Sequence, residues 1–80
     1  PRLVAIENVA VSSEQSLKSF LAGAVCLDIG CKDGHVSRDL ISAYGVKRVI
    51  GIDIDSKLIT RAIRSVHASL KSRFGYAVQD

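Results

Sequence analysis

The sequence predicts an α/β fold in which helices flank a Rossmann-like parallel sheet. Two short apolar runs, Val25–Ile29 and Arg48–Asp53, have the length and composition of strands, and a helical pattern separates them. A second helical pattern follows the second run. This alternation of strands and helices is typical of parallel sheets connected by right-handed crossovers.

Length and composition restrict the chain to one small folding unit. Its 80 residues are fewer than the roughly 100–150 of a common domain, while 48% apolar and 24% charged residues are ordinary for a globular protein. We therefore treat residues 1–80 as a single domain. The chain contains no methionine, and we expect it to be an excerpt of a longer protein.

Membrane and secretory signals are missing from the sequence. The longest uncharged stretch, residues 19–27, is about half as long as the roughly 20 residues that cross a bilayer, and no signal-peptide pattern precedes it. The two cysteines, Cys26 and Cys31, are too few for a disulfide scaffold and lack the paired spacing of a zinc site. We expect an intracellular protein of the nucleus or cytoplasm, with free thiols, no metal and no membrane partner.

The segment before the first predicted strand has weaker signals. Residues 3–11 show no clear period and are interpreted as an extended lead-in. The serine pair at residues 12–13 can cap a short helix, with Phe20 and Leu21 on its apolar face and Gly23 as its end.

The central segment is predicted to form a strand followed by an amphipathic helix. Val25–Ile29 is interpreted as a strand buried on both faces, with one edge left open in this chain. Val36, Leu40 and Tyr44 follow at four-residue intervals, which predicts a helix over residues 35–44.

The longest predicted helix follows the second strand. Asp55 or Ser56 can cap it, its apolar stripe extends to Leu70, and Gly75 ends it. Residues 76–78 then begin a third strand.

The positive charge of the chain is concentrated in this helical segment. The formal net charge is +3, yet residues 56–73 alone contain five bases and no acid. On a helical projection four of these bases cluster opposite the apolar stripe: Lys57, Arg61, Arg64 and Lys71. We interpret this face as solvated helix surface, with contact to RNA as the alternative.

A glycine-containing loop joins the first strand to the next helix. Gly30 and Gly34 stand near its two ends, and glycine lets a backbone turn sharply and approach a ligand closely. Asp53 ends the second strand, 23 residues after Gly30, where a carboxylate can accept hydrogen bonds from both hydroxyls of a ribose. The loop and the acid together predict an adenosine-containing ligand.

The charged residues of the loop distinguish between the possible adenosine-containing ligands. Dinucleotide sites have the pattern GxGxxG, and here Lys32 occupies the position of the middle glycine. Asp28 and Asp33 flank the turn, where they would repel a pyrophosphate. S-adenosylmethionine carries an ammonium and a sulfonium, so the acids favour S-adenosylmethionine as the cofactor.

Two runs of sequence resemble a known superfamily. VCLDIGCKDGHVS (residues 25–37) and RVIGIDIDSKLITRA (residues 48–62) look like the first and second motifs of class I S-adenosylmethionine-dependent methyltransferases. Within that superfamily they are most similar to the bicoid-interacting-protein type RNA methyltransferases, which include the methylphosphate capping enzymes of small nuclear RNA. The resemblance covers residues 23–70. It implies the N-terminal strand–helix–strand–helix part of the class I fold, an RNA as methyl acceptor, and a missing remainder of the domain.

The resemblance also implies roles for individual residues. Asp28, Gly30 and Gly34 would frame the methionine end of S-adenosylmethionine. Asp53 would hold the ribose, and Ile54 would lie against the adenine. The side chains that select and activate the acceptor belong to later strands of the fold, so no catalytic residue is assigned.

Alternatives stay open at this point. Cys31 either lines the cofactor pocket or is a buried, inert thiol. The chain could be a non-catalytic module that keeps the methyltransferase fold as a binding or regulatory surface. A fragment of a dinucleotide-binding oxidoreductase is the second alternative function.

Overall fold

The computed structural model describes residues 3–7 and 14–79, which form strands, α-helices and one 3₁₀ helix. In chain order these are β1 (Leu3–Glu7), α1 (Glu14–Leu21), β2 (Val25–Ile29), α2 (His35–Ser42), β3 (Arg48–Asp53), α3 (Ser56–Ser65), the 3₁₀ helix (Ala68–Arg73) and β4 (Phe74–Val78). None of the described helices is long and apolar enough to cross a lipid bilayer.

The four strands form one parallel sheet in the order β1-β2-β3-β4. Leu27 of β2 lies between Ala5 of β1 and Ile50 of β3, and Ile50 pairs in turn with Gly75 of β4. The predicted parallel α/β sheet with flanking helices is confirmed, and both central strands have the predicted bounds.

The segment interpreted as a lead-in contributes a strand of the sheet. β1 pairs in parallel with β2 from Leu3↔Val25 to Glu7↔Ile29. The expectation of an open edge on Val25–Ile29 is therefore wrong, because β1 takes up the backbone hydrogen bonds of that edge. Residues 8–11 of the expected lead-in and the serine pair at 12–13 lie outside the described residues.

The core lies on the face of the sheet that the helices cover. Its buried members come from α1, α2, β2, β3 and the connections between them: Leu21, Ala24, Cys26, Leu40, Ile41, Val46 and Val49. The prediction that β2 is buried on both faces is wrong, since Leu27 and Ile29 on the opposite face are only half-buried and Ile50 is exposed. Strands that follow one another across a sheet through right-handed crossovers receive all their helices on one face.

The first two helices follow the predicted pattern with one exception. In α1, Leu21 is fully buried, whereas Phe20, predicted to lie on the same apolar face, is 51% exposed. In α2, Leu40 and Ile41 are buried in the core, and Tyr44 packs against it just beyond the end of the helix.

The predicted long helix is divided into two. Asp55 caps α3, as expected, but the helix ends at Ser65 because Val66 adopts an extended conformation with φ −77° and ψ 127°. The His67 ring then accepts a hydrogen bond from the N–H of Ser69 and caps the 3₁₀ helix. Gly75 lies inside β4 and does not end a helix.

The division of this helix changes the predicted basic face. Lys71 is on the 3₁₀ helix, so its direction does not follow from the periodicity of α3. Arg73 donates hydrogen bonds to the carbonyls of Val46 (2.6 Å) and Lys47 (3.1 Å), which ties the 3₁₀ helix to the start of β3. Only the bases within Ser56–Ser65 share one helical face.

Candidate functional site

The candidate site lies where the parallel strands end. In open parallel α/β sheets, ligands bind at the carboxyl ends of the strands. β2 ends at Ile29 and leads into the loop that begins with Gly30, while β3 ends at Asp53. β4 ends at Val78, and Gln79 follows directly.

The loop between β2 and α2 turns through three left-handed residues. Gly30, Lys32 and Gly34 have φ values of 70°, 53° and 84°. Lys32, at the position of the middle glycine, therefore keeps the conformation that glycine adopts easily, at a cost of about 1–2 kcal/mol for a residue with a Cβ atom. The lysine does not abolish the sharp turn.

The carboxylate of Asp53 is bonded directly to this loop. Its Oδ2 accepts a hydrogen bond of 2.9 Å from the N–H of Lys32, and its Oδ1 accepts one of 2.9 Å from the N–H of Asp55. These amide donors, first Asp55 and then Lys32, lower the pKa of Asp53 below its ordinary value. The loop and the acid predicted to converge on one ligand are thus in contact.

A groove of about 390 Å³ opens beside Asp53. Its walls are formed at the ends of β2, β3 and β4 by Ile29, Gly30, Ile52, Asp53, Ile54 and Gln79. Three of the residues predicted from sequence, Gly30, Asp53 and Ile54, meet here, and Ile54 presents 71% of its surface to solvent. The volume is within the roughly 300–1,000 Å³ of small-molecule sites.

Gln79 was not predicted from the sequence as a residue of the site. Its N–H donates to the carbonyl of Asp53 at 2.8 Å, so its backbone is fixed at the edge of the groove. The signal in the sequence is a polar residue directly after an apolar run, the same feature that identified Asp53.

The other predicted residues lie beneath the loop, on the helix-covered face. Asp28 is fully buried and accepts a hydrogen bond of 2.6 Å from Ser37 Oγ, while its Oδ1 has no partner among the described residues. Burial raises the pKa of Asp28, against the opposing effect of the Ser37 bond. Asp28 is therefore placed to support the turn and does not line the groove.

Cys31 and Gly34 are also below the surface of the groove. Cys31 is fully buried, and burial together with the negative charge of Asp28 raises its pKa to about 11. The geometry corresponds to a buried, inert thiol. Gly34 is buried at the start of α2, where it is the N-cap residue.

The position of Tyr76 on β4 explains why residues 34 and 51 are glycines. A Cβ atom added to Gly34 would lie 2.6 Å from the Tyr76 hydroxyl oxygen, and one added to Gly51 would lie 2.6 Å from the Tyr76 ring. Any side chain at either position would displace the tyrosine. Tyr76 thus fills the space between the loop and the sheet.

Most backbone amides of the loop already donate hydrogen bonds within the protein. Gly30 and Cys31 both donate to the carbonyl of Ile52 at 2.9 Å, and Gly34 donates to the carbonyl of Cys31 at 2.9 Å. At the start of α2, Asp33 Oδ1 accepts a hydrogen bond from the N–H of His35 (3.2 Å) and lies 2.9 Å from its Nδ1. A pyrophosphate needs such amides to be free at a helix start, so this loop is poorly suited to a dinucleotide.

The bonds between Asp33 and His35 also affect the charge of Asp33. The His35 ring and then its N–H lower the pKa of Asp33, so the loop keeps a negative charge at neutral pH. His35 is exposed and pairs with Asp33. The loop and the end of β3 thus carry two carboxylates with lowered pKa, and Asp53 is the one that lines the groove.

Comparison with known proteins identifies relatives over part of the chain. The human 7SK snRNA methylphosphate capping enzyme is 39% identical over 47 residues, which is 59% of this chain. The Drosophila melanogaster U6 snRNA methylphosphate capping enzyme Amus is 45% identical over 40 residues, or 50% of this chain. A probable RNA methyltransferase of Arabidopsis thaliana is 36% identical over 45 residues, or 56% of this chain.

These matches confirm the predicted resemblance to methylphosphate capping enzymes and RNA methyltransferases. They cover 7%, 13% and 14% of the length of the human, Drosophila and Arabidopsis proteins, so this chain corresponds to a small part of each relative. No protein-family model matches the chain.

Proposed function

We propose that this chain is the cofactor-binding part of an S-adenosylmethionine-dependent methyltransferase that acts on RNA. The observation that carries the proposal is the contact between Asp53 and the loop at Lys32, beside an apolar groove of about 390 Å³. The similarity to RNA methyltransferases supports the same activity. Residues 1–80 then form one incomplete domain, and the remainder of the methyltransferase completes it.

The residues around the groove fit S-adenosylmethionine. Asp53 is ionised, and each of its oxygens accepts one amide hydrogen bond, which leaves lone pairs for ribose hydroxyls. Ile54 and Ile52 offer apolar surface to the adenine, and Gly30 allows the methionine part to approach the backbone. When bound, S-adenosylmethionine supplies a methyl group on a sulfonium, which an acceptor oxygen or nitrogen can take.

The buried predicted residues act indirectly in this proposal. Asp28, Cys31 and Gly34 lie under the turn, where they fix the backbone that borders the methionine end of the groove. The chain's own contribution to the reaction is to bind and orient the cofactor, since positioning alone can supply a large part of a rate enhancement.

The names of the relatives indicate which group of the RNA accepts the methyl group. Two of them are methylphosphate capping enzymes of small nuclear RNA, so we take a phosphate at the RNA 5′ end as the acceptor group. For such an RNA-modifying role we expect a location inside the cell, in the nucleus or the cytoplasm.

A methyl-transfer assay tests this function. The full-length protein is incubated with S-adenosylmethionine carrying a radioactive methyl group and with one RNA that has either a 5′ phosphate or a 5′ hydroxyl. We expect label in RNA only when the 5′ phosphate is present. Equal labelling of both RNAs would move the acceptor to a base or ribose, and no labelling at all would contradict the proposed activity.

Thermal denaturation separates the proposal from its two alternatives. We expect S-adenosylhomocysteine to raise the melting temperature of the full-length protein, because a ligand that binds only the folded state stabilises it. Protection by NAD in its place would identify a dinucleotide site. Protection by neither ligand would favour a non-catalytic binding module.

A further inference from the structure

The outer face of α3 has a row of cationic side chains that do not line the groove. Lys57, Arg61 and Arg64 are all exposed, and at about 100° per residue their directions fall within about 60° of one another. Ile59 and Ala62, on the opposite side of the helix, are buried. We call Lys57, Arg61 and Arg64 the cationic row.

No acid whose side chain the structure describes forms an ion pair with the cationic row. The contact of salt-bridge length found among the described side chains joins the His35 ring to Asp33 at 2.9 Å. The segment from residue 56 to residue 73 has no Asp or Glu. Asp55, the acid that precedes it, is occupied at the helix start, where its Oδ1 accepts hydrogen bonds from the N–H groups of Lys57 and Leu58.

The two other bases of this segment do not belong to the row. Arg73 is held by the carbonyls of Val46 and Lys47, and Lys71 lies on the separate 3₁₀ helix. The exposed cations of α3 are therefore ordered along one face of this helix. An unpaired row of like charges raises the local potential and attracts polyanions.

We propose that the cationic row binds the phosphate backbone of the RNA acceptor, an inference that rests on the proposed function. The row starts close to the groove, because Asp55 caps α3 and its N–H is bonded to Asp53. From Lys57 to Arg64 the helix rises by about 10 Å, close to the rise of about three stacked nucleotides. An RNA whose end lies at the groove can thus continue along α3.

The composition of α3 indicates how the RNA is bound. The helix contains no aromatic residue that could stack on a base. Contacts from lysine and arginine to phosphates carry no sequence information and weaken as salt is added. The cationic row therefore contributes affinity that is independent of RNA sequence.

A charge-reversal experiment on the full-length protein tests the cationic row. Arg61→Glu combined with Arg64→Glu removes two of its three cations, and Lys18→Glu combined with Lys47→Glu makes the same change in net charge at exposed positions elsewhere. Affinity for a fluorescent single-stranded RNA is measured by anisotropy at several salt concentrations. The affinity for S-adenosylhomocysteine is measured on the same samples by calorimetry.

The row variant is expected to bind RNA about tenfold or more weakly, with a salt slope smaller by about 1.4 because two phosphate contacts are lost. The Lys18/Lys47 variant is expected to stay close to the parent. Equal RNA affinity of the two variants, or no RNA binding by the parent, overturns the proposal. A vesicle-binding measurement adds one further outcome that would overturn the proposal. If the row variant no longer binds phosphatidylserine vesicles that the parent binds, and its RNA affinity is unchanged, the cationic row is a membrane-binding surface.

The calorimetry keeps this test separate from the proposed function. A row variant that loses RNA affinity and still binds S-adenosylhomocysteine supports both proposals. Loss of RNA affinity in a protein that never binds S-adenosylhomocysteine leaves the cationic row as an RNA surface and removes the methyltransferase assignment.

Discussion

The N–H of Lys32 donates a hydrogen bond of 2.9 Å to Asp53 Oδ2, across 21 residues of sequence. This bond fastens the loop after β2 to the end of β3, so the two predicted parts of the ligand site form one unit. Asp53 therefore has two structural roles: its carboxylate binds the loop, and the residue lines the groove.

The left-handed conformation of Lys32 leads to a first prediction. Lys32→Gly should stabilise the protein by about 0.5–1 kcal/mol, because the relief of backbone strain exceeds the added freedom of the unfolded chain. The affinity for S-adenosylhomocysteine should not change, since the bond to Asp53 comes from the backbone. Urea denaturation followed by circular dichroism measures the first quantity, and calorimetry the second.

Lys32→Ala is the matched control for this prediction. Alanine keeps a Cβ atom and therefore the strain, so its free energy of unfolding should stay within about 0.5 kcal/mol of the parent. A Lys32→Gly protein less stable than the Lys32→Ala protein would contradict the account of the turn.

The packing of Tyr76 leads to a second prediction. Gly51→Ala should destabilise the protein by about 1–3 kcal/mol, because the new Cβ atom would lie 2.6 Å from the Tyr76 ring. Gly75→Ala, one strand away in the same sheet, meets nothing closer than 3.9 Å and should leave stability unchanged or slightly higher. Equal losses in the two variants would rule out the steric explanation.

Coupling between Gly51 and Tyr76 makes a third prediction. Tyr76→Leu removes the ring that Gly51→Ala would strike, so the two substitutions should not add. We expect the double variant to lose less free energy of unfolding than the two single variants together, by about 1 kcal/mol or more. A double-mutant cycle measured by urea denaturation gives this difference. Additive losses would show that the two residues do not compete for this space.

The buried carboxyl of Asp28 leads to a fourth prediction, on pH dependence. Burial raises the pKa of Asp28 in the folded protein above the value of about 3.9 in the unfolded chain. The protonated carboxyl therefore contributes fully to the free energy of unfolding below about pH 3.9, and this contribution is lost as the pH rises through the pKa of the folded protein. Asp28→Asn cannot ionise. The stability of Asp28→Asn relative to the parent should therefore increase with pH across this window, measured by urea denaturation at a series of pH values.

Ser37→Ala complements this test. It removes the hydroxyl that donates to Asp28 Oδ2 at 2.6 Å and leaves a buried carboxylate without that partner. We expect a loss of about 1–3 kcal/mol at neutral pH and a smaller loss in the Asp28→Asn background. A pH-independent difference between Asp28→Asn and the parent would contradict the raised pKa.

The sequence predicted the fold where patterns are local. Val25–Ile29 and Arg48–Asp53 are short, apolar and bounded by turns, and their limits agree with β2 and β3. β1 was not predicted as a strand, because its pairing depends on β2, which is distant in the sequence. The end of α3 was also missed, since Val66 continues the apolar period and yet leaves the helix.

The candidate site was predicted in part for the same reason. Asp53 and Gly30 mark the ends of neighbouring parallel strands, so their proximity follows from topology. Whether a side chain faces the groove or the core depends on strand alternation and on the one-sided packing of the helices, and this placed Asp28 and Cys31 beneath the turn. The contacts of Tyr76 with Gly34 and Gly51 have no sequence signal.

Binding of S-adenosylhomocysteine to the full-length protein, measured by isothermal titration calorimetry, tests the central claim most directly. We predict that the parent binds, that Asp53→Ala weakens binding by at least about a hundredfold because both ribose recognition and the loop contact are lost, and that Asp39→Ala, which removes an exposed acid from α2, has no effect. Undiminished binding by Asp53→Ala, or no binding by the parent, would contradict the account.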